Sequence, residues 1–185
     1  MAKTYTNLTA VATGDVLTAT GYNLAQTTLN NHTIPPMCSI YNNADIGIVT
    51  ATSTVVTFNT TNFDTETLTL GSGATAMHNN TTNTGQIVAQ TTGVYLFVFN
   101  IIWNANATGT RYLDMYKNSS VIVASAFSPA NGVGNTAMSL SQIVAMTAGD
   151  YMQFRVAQTS GVTLNVNAAG SAGIQAMASF LGRLS

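Results

Sequence analysis

From residue 37 to the end, short apolar runs alternate with clusters of turn-forming residues. The longest run, GVYLFVFNIIW over residues 93–103, carries one polar residue, Asn100, after its glycine. Strand periodicity puts Tyr95, Phe97, Phe99, Ile101 and Trp103 on one face, and Val94, Leu96, Val98, Asn100 and Ile102 on the other. A half-buried strand would show a polar face, and this one shows none, so both faces need cover. The same reading predicts strands near 37–41, 46–50, 54–58, 67–70, 85–90, 93–103, 111–117, 120–127, 137–146, 151–158, 162–166 and 174–183. GSG at 71–73, HNNTTNTG at 78–85, NANATG at 104–109, KNSS at 117–120, SPANGVGN at 128–135, TAGD at 147–150 and QTSG at 158–161 separate them. Many short strands at this spacing predict an all-β sandwich or barrel.

Residues 1–36 follow another pattern. They hold the one helix the sequence predicts, capped by Thr18 or Thr20, with Ala19, Tyr22, Leu24, Ala25 and Leu29 on its apolar side. NNHTIPP ends it, because consecutive prolines cannot continue a helix. So few apolar residues make no core alone, so this arm must dock elsewhere, on its own domain, a sister subunit or another protein. Tyr22, Leu24 and Leu29 are the expected docking residues. The organisation expected is an arm over 1–36 and a β domain over 37–185.

Charge sharpens the picture. Of 185 residues only 6% are Asp, Glu, Lys or Arg, against about 25% in ordinary domains. Net charge is −1, and Thr, Asn and Ser take the place of charge on the surface. Such a surface suits a permanently assembled protein, with little dependence on salt. Five scattered Lys and Arg cannot neutralise a run of phosphates, so no nucleic-acid partner is expected. The 93–103 run is about half the ~20 apolar residues a spanning helix needs, so no membrane insertion is expected. MAKTYTNLTA has no apolar signal core, which predicts synthesis in a cytoplasm without signal-peptide export. The single cysteine, Cys38, is expected to be a buried free thiol.

At this point the residues carry a resemblance. TTGVYLFVFNIIW is similar to the AGVYLFSF core strand of the complement globular-head and tumour-necrosis-factor-like jelly roll. RYLDMYKNSSVIV, MTAGDYMQFRVAQTSG and ASFLGRLS resemble that family's next hairpin, its AGDY strand and its closing strand. Ser119 stands where the hairpin's turn has glycine. A version in bacteriophage virion proteins is closer still. Its elements match Phe63-Asp64-Thr65, Met77-His78, Asn104 to Arg111, Gly149-Asp150-Tyr151, Gln158-Thr159-Ser160-Gly161 and Arg183-Leu184 in order. ATGDVLTATGYN also resembles an element near the start of phage tail and fibre proteins.

The resemblance covers residues 37–185. It implies a jelly-roll β-sandwich whose subunits form a homotrimer, with one face of strand 93–103 in its own core and the other against sister subunits. Tyr95, Leu96, Phe97, Val98, Phe99, Ile101 and Phe180 are thus expected in the trimer interface or the core. The sequence does not choose between the two columns, and a central strand buried within a monomer is the alternative.

Candidate chemistry is thin. Asp64 and Glu66 alternate on a possible strand, which would set both on one face about 7 Å apart; no further acidic residue lies nearby in sequence to complete a calcium site, and a structural role is expected. His78 and the distant His32 do not make a zinc site. Asp150 is expected to order its turn. Arg111 and Asp114, three apart on a strand, should face opposite ways, Arg111 toward a carbonyl or another strand's acid. Arg155 and Arg183 each need a partner or solvent. No nucleophile, metal, cofactor or enzymatic activity is expected. The function expected from the resemblance is a structural virion protein, made in the host cytoplasm. It would be a trimeric knob held by its arm to other virion proteins, as a capsid decoration or head fibre, or on the tail. The alternative is a tail-fibre or spike tip that binds a host receptor or glycan through loops 75–85, 104–110 and 128–135, with His78, Trp103 and Tyr112 as contacts.

Overall fold

A computed structural model describes residues 35–68, 75–169 and 172–183. The arm residues Tyr22, Leu24, Leu29 and His32, and the helix expected around them, lie outside the described residues. So do residues 69–70, the end of one expected strand, and Leu184. The compact unit described here is Pro35–Ser185.

Among the described residues twelve strands form two antiparallel sheets, the jelly-roll sandwich expected. They are β1 (Met37–Tyr41), β2 (Ile46–Ile48), β3 (Thr54–Val55), β4 (Thr60–Asp64), β5 (Gln86–Val88) and β6 (Gly93–Trp103). The rest are β7 (Thr110–Lys117), β8 (Val121–Pro129), β9 (Thr136–Met146), β10 (Tyr151–Gln158), β11 (Leu164–Val166) and β12 (Ile174–Gly182). One sheet has seven strands in the order β2-β11-β6-β12-β1-β4, with β9 on the other edge of β6. The second runs β3-β10-β7-β8, with β5 beside β3 on the edge of β10.

Strand β6 is the spine. It pairs with β9 over its whole length and with β12 over most of it. Its aromatic column, Tyr95, Phe97, Phe99, Ile101 and Trp103, points between the sheets and is at most 1% exposed. Phe99 meets Phe154 of β10 at 4.8 Å between ring centroids, and Phe58 packs edge-on to both. Phe180 stands edge-on to Tyr95 at 5.3 Å, half-buried at the core margin. Gly93 starts the strand because a Cβ there would lie 2.2 Å from the Phe180 ring. Cys38 is buried and free, and burial pushes its thiol up, away from the reactive form.

Two elements differ from expectation. Thr60–Asp64 is a strand, although TTNFD is polar; it sits at the sheet edge beside β1, with a register shift. Residues 65–68 form a 3-10 turn rather than the start of a strand. Asp64 Oδ1 accepts the Glu66 N–H at 3.1 Å, and Thr65 Oγ1 accepts the Met37 N–H at 2.7 Å. The Asp64 bond is local and turns the chain out of the strand, and the Thr65 bond ties that turn to the start of β1. Asp64 and Glu66 therefore do not share a strand face, which corrects that expectation.

Phe99→Ala should cost about 3–5 kcal/mol, since it empties the meeting point of the two sheets. Denaturant unfolding followed by near-ultraviolet circular dichroism would measure this.

Candidate subunit interface and distal loops

The second column of β6 looks outward from the sandwich. Val94, Leu96, Val98, Asn100 and Ile102 are each only half-buried. Their cross-strand neighbours continue the same character: Leu96 lies opposite Ile143, and Val98 opposite Ser141 on one side and Met177 on the other. Ile143 is 57% exposed and Leu181 52%. The strands β1, β6, β9 and β12 contain no Asp, Glu, Lys or Arg. This face is broad, neutral and largely apolar, with small Ala137, Ser139, Ser141 and Ala145 outward on β9. Of the residues expected in interface or core, the structure sends Tyr95, Phe97, Phe99 and Ile101 inward and Leu96 and Val98 outward. Ile143, Met177 and Leu181 were not singled out from the sequence; the small-residue alternation of β9 was the available signal.

The few charges are used as clamps on the backbone. Arg111, fully buried, donates to the carbonyls of Thr108 at 3.0 Å and Asn106 at 3.1 Å. Its guanidinium lies 5.9 Å from the Trp103 ring centre. The loop above it is shaped by an Asn106 side chain that accepts the Thr108 N–H, and by Gly109 at φ +79°. A Cβ on Gly109 would strike the Thr159 carbonyl at 2.2 Å. Asn135 ties the neighbouring loop in, accepting the Ala105 N–H at 3.0 Å. Buried Gln158 donates to the carbonyls of Ile48 and Val162, pinning the 159–163 turn to β2. Arg155 finds its partners in the Ser119 carbonyl and the Tyr116 ring, 4.2 Å away. Arg111 and Asp114 face opposite ways, as the spacing requires.

At the other end Asp150 joins two turns. It pairs with Lys117 at 2.8 Å, accepts from Asn118, and accepts the Thr147 N–H at 2.7 Å. The Lys117 and Asn118 hydrogen bonds hold its carboxyl down at about 2. Asn118 and Ser119 both take positive φ here, so two non-glycine residues make the turn where the resembled hairpin has glycine.

Two expected surface contacts prove internal. Trp103 is fully buried, because it ends the inward column of β6 and packs on Arg111. His78 is 5% exposed, with Nδ1 2.8 Å from the Gln86 carbonyl and Nε2 3.3 Å from the Phe58 carbonyl. Its own N–H goes to Asp64 Oδ2. A cleft of about 460 Å³ opens beside Thr61, Phe63 and Asn80 with Asp64 and His78 along it, but their polar atoms are committed to backbone. Burial raises the Asp64 carboxyl, against backbone N–H bonds from His78, Glu66 and Met77. Tyr112 is 37% exposed, directly across from Phe127 at 76%; Phe127 was not anticipated. Among the described residues, no group of three His, Cys, Asp or Glu is placed to hold a metal ion.

A family model described as the C1q domain matches residues 48–182. No curated protein matches the chain. Among solved structures it is similar to the globular domain of zebrafish complement 1qA, at 17% identity and TM-score 0.54, covering 80% of this chain and 99% of that one. It is also similar to murine APRIL, at 10% identity and TM-score 0.55, covering 79% and 98%. The Eiger TNF of S. frugiperda gives 12% identity and TM-score 0.54, covering 81% and 94%. At these identities the likeness is one of fold.

Two predictions follow from the clamps. Arg111→Met should cost about 1–3 kcal/mol for each carbonyl it abandons, and hydrogen exchange should speed up at the 104–110 amides ahead of the rest of the domain. Asp150 ionises more easily folded than unfolded, where its pKa is about 3.9. Its stabilisation is therefore present above about pH 4 and lost as pH falls through about 2. Asp150→Asn should flatten the stability profile in that window, measured by urea unfolding at stepped pH.

Proposed function

The chain belongs to the C1q-domain family, and from that premise we propose that it is a homotrimeric structural knob of a bacteriophage virion, made in the host cytoplasm and attached to other virion proteins by its 1–36 arm. The observation that carries the trimer is the outward face of the seven-stranded sheet. On β6, β9 and β12 it is largely apolar and free of Asp, Glu, Lys and Arg, the composition of an obligate interface rather than of a solvated surface. Two sister subunits supply the cover that this face of β6 lacks among the described residues. The virion role rests on the phage-type order of Phe63-Asp64-Thr65, Met77-His78, Asn104 to Arg111 and Gln158 to Gly161. The capsid surface and a compact tail appendage both suit a short arm on a single knob. No catalytic role is proposed.

A receptor- or glycan-binding tip is the second reading. Its support is the adjacent pair Tyr112 and Phe127, exposed aromatic rings on the outer sheet.

A chain lacking residues 1–36 should remain a soluble trimer and fail to join particles in an assembly assay. Loss of the trimer on truncation would contradict the two-part design. If the knob is a tip, Tyr112→Ala with Phe127→Ala should leave particle joining intact and abolish attachment to host cells.

A further inference from the structure

The outward column of β6 is apolar except at Asn100, the fourth of its five positions. Asn100 stands between Val98 and Ile102 along the strand, with Ser139 and Gln175 across from it. Its Oδ1 accepts the Ser139 hydroxyl at 2.7 Å. Among the described residues its Nδ2 hydrogens have no acceptor. Gln175 and Asn62 both turn their amides to Ser39 Oγ instead, at 3.4 and 3.2 Å. A shallow hollow of about 260 Å³ lies beside Asn100, lined by Ile102, Ala137 and Ser139.

Once this face is covered, an amide donor without an acceptor would be costly, and an apolar foreign surface offers it none. An amide is at once donor and acceptor. Copies of Asn100 brought together by a rotation axis can each donate Nδ2–H to the Oδ1 of the next, which closes the set without any outside group. We infer that Asn100 is the register-setting residue of the trimer: the three Asn100 amides meet across the subunit junctions and bond cyclically, seated by the Ser139 hydroxyls. The surrounding apolar surface supplies adhesion, which slides without penalty; the amides fix one registration, as a single buried polar residue does in coiled coils. This inference rests on the trimer reading above.

The test uses the full-length chain. In Asn100→Cys, oxidation at high dilution should link two of the three subunits, so that about two thirds of chains run as a disulfide dimer on a non-reducing denaturing gel. Cys38, being buried, adds no band in the parent chain. A variant that is trimeric in sedimentation but yields no linked dimer overturns the inference. Asn100→Leu gives an independent readout. It should fold and associate, but sediment as a mixture of sizes in place of one trimer. A single trimeric species overturns the inference. A parent chain that sediments as a monomer removes the trimer reading itself, an outcome distinct from either variant result.

Discussion

The described domain depends on β6, whose two faces are both largely apolar and both need cover. Its inward column fills the space between the sheets, where Phe99, Phe58 and Phe154 lock the two layers together. Its outward column is the middle of a seven-stranded sheet face that no other part of the described chain covers. One strand thus belongs to two cores, that of the subunit and that of the proposed assembly. The first requires large aromatic residues in fixed rotamers. The second requires a flat surface that identical neighbours can share, and β9 supplies small outward residues for it.

The scarcity of charge has a physical sense in this setting. The strands β1, β6, β9 and β12 carry none. Four of the charges hold backbone at corners: Arg111 under the 104–109 loop, Asp150 between two turns, Asp64 against the 77–78 amides and Arg155 at the 118–120 turn. The residues that mark the phage-type pattern turn out to be these corner pieces and their partners, among them Asn106, Gly109 and Gln158. They specify how the jelly roll turns its ends rather than what it binds.

This explains what was legible. Period-two alternation and length exposed β6, β9, β10 and β12 plainly, and turn residues placed most boundaries. TTNFD escaped because an irregular edge strand beside β1 needs no apolar alternation. Residues 65–68 read as extended, but the Asp64 carboxylate takes the Glu66 N–H and Thr65 bonds to the distant 35–37 backbone, which turns the chain at that point. Trp103 and His78 sit next to polar loops and read as surface; only the inward parity of β6 and the carbonyls around His78 reveal them as interior. Parity alone could not say which column of β6 faced the partner sheet, since both are apolar. The proposed subunit junction could not be read from one chain's local pattern, because its second half would be another copy.

The central claim is that the outward face of β6 is buried against two further copies. Light scattering on the dilute purified protein tests it most directly. The account predicts a mass of about 58 kDa, three times 19.3 kDa, holding on dilution and in high salt. A stable mass near 19.3 kDa would contradict it.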